Sequence, residues 1–228
     1  MVTIMFMKIK TFIVIFVAVF AVVMFLLRPQ PGDNNSSQKV TGLPWQIEVL
    51  PDGKTVVFGI TLGQSTFADV RRQADGGEVA IMSLGAADVS LEMYVKSFRA
   101  GMLTGRLIVV ASQTATQLAD MRSRAIRSGG ENRFKLHADD RAGAQNAVVE
   151  SVTFIPHANL DAEVISQRFG MPAQVIKTSE IISHHLYPDK GLDIILDKEG
   201  KEVLQYVLPA KFSMLRKPLV EKSDKSLQ

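Results

Sequence analysis

Histidine is the side chain best suited to metal binding or proton transfer near neutral pH, and this chain has four of them. Two are adjacent, His184 and His185, in a segment rich in aliphatic and aromatic residues. Adjacent residues of a strand point to opposite faces, so these two imidazoles do not share one metal ion. His137 and His157 lack the H-x-x-x-H or H-E-x-x-H spacing of zinc sites. The sequence therefore predicts no metal site. It predicts structural roles for His184 and His185, one packed beside a helix at 161–169 and the other facing solvent.

Other stretches that approach catalytic motifs have simpler structural explanations. The sequence GQSTF at 63–67 lacks the last glycine of G-x-S-x-G, and Ser65 stands where a helix needs a cap. The glycine pairs at 76–77 and 129–130 end predicted helices and lack the Lys-Ser/Thr of a phosphate-binding loop. Asp139 and Asp140 suit the first turn of a helix, where the macrodipole favours carboxylates. No catalytic residue and no cofactor is predicted, and the chain is not expected to be an enzyme.

Charge balance and the absence of cysteine exclude several functional classes. The chain has 26 Lys and Arg against 23 Asp and Glu, and residues 1–28 hold three of the basic side chains and no acidic one. The remainder is therefore balanced, unlike the basic face of a nucleic-acid-binding protein, and no nucleic acid partner is predicted. Zero cysteines exclude disulfides and zinc–thiolate sites, and they are compatible with an oxidising periplasm. A run of arginines at 122, 124 and 127 invites a phosphate or anionic-lipid interpretation, but a solvated helix face explains it more simply.

Two classes of function remain. The favoured hypothesis is a non-enzymatic interaction or scaffold protein that binds an envelope protein or peptide through a sheet face or edge. Its candidate partner surface consists of Trp45, Tyr94, Phe98 and Tyr206. The alternative is a small-ligand-binding or hydrolytic domain whose site lies between two folded units. A deep polar pocket lined by His184 or His157 with nearby Asp or Glu would favour the alternative, and a flat or grooved apolar patch of several hundred Å² would favour the first.

The strands and helices that the sequence patterns predict around these residues indicate an α+β fold. Alternation, β-branched composition and turn signals predict strands at 45–49, 55–60, 78–84, 91–98, 103–111, 148–155, 181–187, 192–196 and 202–207, with a short strand candidate at 134–136. Caps and apolar spacing predict helices at 66–74, 114–128 and 161–169. Both halves follow the order strand, short helix, three-stranded meander. This order predicts two tandem helix-plus-antiparallel-meander units, at 45–145 and 146–216.

The second half carries a family resemblance. The sequences RFGMP at 168–172, YPDKGLDI at 187–194 and GKEV at 200–203 resemble the SmpA/OmlA family, which includes a lipoprotein of the outer-membrane β-barrel assembly machinery. Residues 60–70 resemble the helix start of a first copy. The resemblance implies helices on a three-stranded antiparallel sheet, repeated in tandem as in the β-lactamase inhibitor proteins. The region from PWQIEVLPDG onward is also similar to uncharacterised proteobacterial membrane-anchored periplasmic proteins, and neither resemblance implies an activity.

An apolar segment at the N-terminus predicts where the protein works. Residues 11–27 are uncharged, with Lys8 and Lys10 before them and Arg28 and Pro29 after them. As a helix they span about 26 Å, close to the ~30 Å bilayer core, and no A-x-A-like cleavage site follows. We expect residues 1–28 to be a retained single-pass anchor that contacts inner-membrane lipid through residues 9–27. The positive-inside rule then leaves the N-terminus cytoplasmic and the C-terminal domain periplasmic, after a flexible linker at 29–44 and before a polar tail at 217–228.

We expect the mature protein to retain Met1 or its immediate neighbours and to fractionate with the inner membrane. Intact-mass measurement of the purified chain and membrane fractionation test this expectation. An N-terminus near Gln30, or a freely soluble periplasmic form, would contradict the anchor.

Overall fold

The computed structural model describes residues 40–85, 88–128 and 130–226, with side chains as far as residue 221. The predicted anchor at 1–28 and residues 29–39 of the predicted linker lie outside these residues. Within them, no helix combines the length and the apolar character needed to cross a bilayer.

The described part of the chain is mostly β-structure, with short helices. The strands are β1 (Glu48–Val49), β2 (Thr55–Val57), β3 (Ile60–Thr61), β4 (Glu78–Ser83), β5 (Val89–Ala100), β6 (Leu103–Ala111), β7 (Ile126–Arg127), β8 (Arg133–Lys135), β9 (Val149–Pro156), β10 (Gln174–Lys177), β11 (Ile182–Tyr187), β12 (Leu192–Asp197) and β13 (Val203–Tyr206). The helices are α1 (Phe67–Gln73), α2 (Ala115–Arg124), α3 (Asp140–Gln145), α4 (Ala162–Phe169) and α5 (Ser213–Ser226).

Ten of these strands form one antiparallel sheet in the order β10-β11-β12-β13-β9-β6-β5-β4-β8-β7, and β1-β2-β3 form a small second sheet. Strand β9 pairs on both of its edges, because Phe154 stands opposite Leu107 of β6 and opposite Leu204 of β13. The predicted antiparallel pairing within each meander is confirmed by the β4–β5–β6 and β11–β12–β13 ladders.

The predicted fold class, two tandem helix-plus-meander units, is wrong. Strand β9 joins the strands of both halves into one backbone hydrogen-bond network, so the halves share a single sheet and a single main core. Three further strands that local patterns do not define as part of either meander, β7, β8 and β10, extend the sheet to its two edges. The result is a sheet-dominated domain in which short helices cover parts of the two faces.

Aromatic rings fill the main core at the centre of the sheet. Phe58 has a φ of 56°, in the left-handed region, and its ring centroid lies 5.2 Å from Phe154, 5.4 Å from Tyr206 and 5.6 Å from Phe98. The Tyr206 hydroxyl donates to the Pro44 carbonyl at 3.0 Å, and burial raises the pKa of that hydroxyl well above its usual value. Phe98 and Tyr206 were predicted at a partner surface, and that prediction is wrong because both are core residues, 2% and 0% exposed.

Side-chain caps set where the helices begin, as local sequence predicts. The Thr66 hydroxyl accepts from the Asp69 amide while the Asp69 carboxylate accepts from the Thr66 amide, and these contacts hold the pKa of Asp69 below its usual value. Asp161 caps α4 by accepting from the Val164 amide at 2.8 Å. The capping role expected for Ser65 is wrong, because Thr66 is the N-cap and Ser65 Oγ instead accepts a hydrogen bond from the Thr61 amide at 2.9 Å.

We expect Gly191→Ala to lower the free energy of unfolding by at least about 2 kcal/mol, because left-handed backbone alone costs an L-residue roughly 1–2 kcal/mol. Gly191 has a φ of 64°, and an added Cβ would lie 1.9 Å from the Val207 carbonyl oxygen. Gly143→Ala in α3 is the matched control, since its Cβ meets nothing within 4 Å, and it should raise stability by up to about 1 kcal/mol. Chemical denaturation of the full chain in detergent measures both, and equal effects would contradict this packing.

Candidate functional site

The two adjacent histidines lie on opposite faces of the sheet, as predicted. His184 is buried, with its Nδ1 2.8 Å from Asp193 Oδ2, and it stands opposite Ile176 on the face that α5 covers. His185 is half-buried on the other face, beside the N-terminus of α4. The expectation that one histidine faces solvent is wrong, because helix α5, which local patterns did not predict, covers the second face.

His185 lies in the candidate functional site, a cleft of about 480 Å³ between the N-terminus of α4 and strands β11 and β12. We call it the α4 cleft. Its apolar walls include Leu160, Ile181 and Leu196. Its ionisable lining comprises four carboxylates and two ammonium groups besides His185: Asp161, Glu180, Asp197, Glu202, Lys177 and Lys198. The volume lies within the roughly 300–1,000 Å³ usual for ligand sites, and the lining favours a positively charged group.

Glu202 is the most unusual member of the cleft. Its side chain is 8% exposed, and Oε2 is buried without a hydrogen-bond partner among the described residues. Glu202 directly precedes β13, and strand alternation places it on the same face as the buried Leu204. A desolvated carboxylate oxygen without a donor costs about 1–3 kcal/mol, which a ligand carrying N–H donors would recover.

Two lysine side chains form hydrogen bonds to the chain segments that border the cleft. Lys201 Nζ donates to the His157 carbonyl at 3.0 Å and also to the Asn159 side chain, which holds the segment that leads into α4. Lys198 Nζ donates to the Glu180 carbonyl at 3.0 Å and holds the turn before β11. In the part of the chain that the structure describes, neither ammonium group lies within 4.0 Å of a carboxylate oxygen.

The surroundings of the cleft disfavour the charged form of its histidine. Burial lowers the pKa of His185, against a smaller opposing effect of Asp193. Ser183 Oγ lies 3.4 Å from His185 Nε2, a serine–histidine pairing on one face of β11. Within the described ranges no carboxylate oxygen lies within 4.0 Å of a ring nitrogen of His185, so this pairing lacks the carboxylate of a Ser-His-Asp triad. The same ranges contain no cluster of three His, Asp or Glu side chains that could hold a metal ion.

The two remaining residues of the predicted partner surface do not lie together. Tyr94 is 36% exposed on the outer face of the sheet, opposite Glu78 and Ile108. Trp45 is half-buried against Phe169 at the end of α4, with ring centroids 6.1 Å apart. Trp45, Tyr94, Phe98 and Tyr206 therefore form no common surface.

Sequence patterns did not indicate Glu202 or the other carboxylates of the α4 cleft. The alternation of the strand could have indicated Glu202. Leu204 and Tyr206 point inward, and with a period of two residues Glu202 takes the preceding inward position. A glutamate at an inward position of a strand is a candidate for a buried charge, and such charges need a partner.

No family model, curated protein or solved structure matches this chain. The resemblance to the SmpA/OmlA family therefore stays a prediction, and the site is interpreted from its own chemistry.

We expect Glu202→Leu to raise the free energy of unfolding by about 1 kcal/mol or more, because it removes a buried carboxylate oxygen that lacks a donor. The matched control is Glu199→Leu, an exposed glutamate in the same turn region, which should change stability by less than about 0.5 kcal/mol. Urea denaturation of the full chain in detergent measures both. A loss of stability on Glu202→Leu would show that this carboxylate supports the fold and is not held for a ligand.

Proposed function

We propose that this chain is a non-enzymatic binding protein of the bacterial envelope, which recognises a protein or peptide partner by taking one of its basic side chains into the α4 cleft. The observation that carries the proposal is the buried, unpartnered Oε2 of Glu202 in a cleft with apolar walls. Lysine and arginine match such a site, because each joins an aliphatic stem to a charged donor group.

The charges around the cleft support a cationic ligand. Four carboxylates outnumber two lysines in the lining, and one of those lysines, Lys198, is already bonded to the Glu180 carbonyl. Burial lowers the pKa of His185, and this reduces the repulsion that a protonated imidazole would exert on an incoming cation. Such complementarity gives a binding site specificity for its partner and speeds encounter with it.

The proposed setting is the periplasmic side of the inner membrane. The apolar segment at 11–27 supports the anchor, and the composition at 29–39 supports a tether with an r.m.s. reach of roughly 20 Å, since residues 40–44 of the predicted linker belong to the folded unit. The tether keeps the domain at a high effective concentration near a partner in the same membrane. Binding of a single side chain in the cleft then needs only modest affinity to contribute to recognition.

The proposal is tested by photo-crosslinking in cells of the source organism. A benzophenone amino acid at Ser179, an exposed residue of the cleft lining, should give an adduct with a defined envelope protein, and Glu202→Gln should abolish it. The same amino acid at Lys96, exposed on β5 away from the cleft, is the control and should give no such adduct. An adduct that forms equally from Lys96, or that survives Glu202→Gln, would contradict the proposal.

A peptide pair tests the chemistry of recognition. We expect the blocked tripeptide Ala-Lys-Ala to bind the full chain in maltoside micelles at least about tenfold more tightly than its norleucine counterpart, because a charge-assisted hydrogen bond is worth about 1.5–3 kcal/mol. Glu202→Gln should remove that preference. Isothermal titration calorimetry measures it, and equal affinity for both peptides would refute recognition through the carboxylate.

A further inference from the structure

A second cavity, of about 570 Å³, lies near the opposite edge of the sheet. We call it the basic pocket. Three cationic side chains from three elements line it: Arg71 of α1, Lys135 of β8 and Arg141 of α3. Its apolar lining comprises Val79, Ala142 and the buried Leu136, and no carboxylate is among its lining residues.

Three carboxylates on these elements, or on the strand paired with β8, are bound to other partners. Glu78 pairs with Arg133 at 2.6 Å, which lowers the pKa of that carboxyl. Asp140, adjacent to Arg141 in α3, pairs instead with Arg124 at 2.5 Å. Asp69, on α1 two residues before Arg71, pairs with Arg72.

The three cationic side chains that line the pocket are not paired with a carboxylate among the described residues. In the part of the chain that the structure describes, none of Arg71, Lys135 and Arg141 has a carboxylate oxygen within 4.0 Å. Like charges that converge on one cavity repel each other, and an anion in the cavity relieves that repulsion.

The position of one guanidinium is fixed by the backbone. Arg71 Nη2 donates to the Gly77 carbonyl at 2.9 Å, which uses one donor and holds the fork in place. Its remaining donors, those of Arg141 and the Lys135 ammonium are the groups that bind tetrahedral oxyanions. The amide of Gln145 completes the polar lining.

We propose that the basic pocket binds a phosphate group. Three convergent cations match the charge of phosphate, and two guanidinium forks match its oxygen geometry better than that of a single carboxylate. Val79 and Leu136 offer apolar contact to the substituent of a phosphate ester. The same chemistry is supplied by free phosphate and by the headgroup of an anionic phospholipid. This site is separate from the α4 cleft and does not depend on its function.

The test uses the full chain in maltoside micelles at fixed ionic strength, titrated by calorimetry with inorganic phosphate and, separately, with short-chain phosphatidylglycerol or phosphatidylcholine. We expect the double substitution Lys135→Gln/Arg141→Gln to weaken binding of the phosphate-bearing probe at least about tenfold, since each side chain contributes a charge-assisted contact. Both residues are exposed and make no side-chain hydrogen bond among the described residues, so folding should be preserved, as an unchanged melting temperature would show.

Arg99→Gln/Arg106→Gln is the matched control, because these exposed arginines lie on the outer face of β5 and β6 and away from the pocket. Tighter binding of phosphatidylglycerol than of phosphate or phosphatidylcholine identifies a lipid headgroup as the source, and binding of inorganic phosphate alone identifies the free ion. Absence of binding by every probe, equal binding of phosphatidylcholine, or equal weakening by the control pair would overturn the proposal.

Discussion

Backbone pairing of β9 on both edges is the constraint on which the rest of the structure depends. The meanders β4–β5–β6 and β11–β12–β13 each end in a strand with an unpaired row of N–H and C=O groups, and β9 satisfies both rows. Its alternation supports this position, since Val152 and Phe154 are fully buried while Ser151 and Thr153 are half-buried on the other face. A register shift of one residue would turn Phe154 away from Phe58 and open the aromatic core.

The wide sheet that β9 completes separates two cavities of opposite character. The α4 cleft lies by strands β11 and β12, where carboxylates outnumber lysines, and the basic pocket lies by strands β4 and β8, where three cations have no carboxylate among the lining residues. Outside residues 1–28 the numbers of acidic and basic side chains are equal, so the net charge indicates neither the acidic lining of the α4 cleft nor the basic lining of the second pocket. Charge counted over a whole chain excludes a broad basic face, but it does not exclude a pocket that gathers three cations.

Features set by neighbouring residues were predictable from the sequence. The Thr66–Asp69 cap, the Asp161 cap and the strand at 103–111 all arise from local hydrogen bonds or local alternation. Features set by distant pairing were not predictable: β7 is too short to show a period, and α5 is largely polar with a proline inside it, whereas the short strand expected at 134–136 overlaps β8. The prediction of an aromatic partner surface was wrong for Phe98 and Tyr206. Alternation shows which residues of a strand share a face, but it does not show which of the two faces is buried.

The two buried carboxylates of the second half show why the α4 cleft is the better candidate for a site. Asp193 is 1% exposed, and His184 lies 2.8 Å from its Oδ2, which offsets part of the cost of burying its charge, while its Oδ1 has no hydrogen-bond partner among the described residues. Glu202 is nearly as buried but has no such partner for Oε2, and it differs from Asp193 in lining a cleft that is open to a ligand. An uncompensated charge inside a closed core is only a loss of stability. At the wall of an open cleft, the same carboxylate also costs stability in the free protein. A cationic partner that donates a hydrogen bond to it removes that cost, and the recovered free energy contributes to binding.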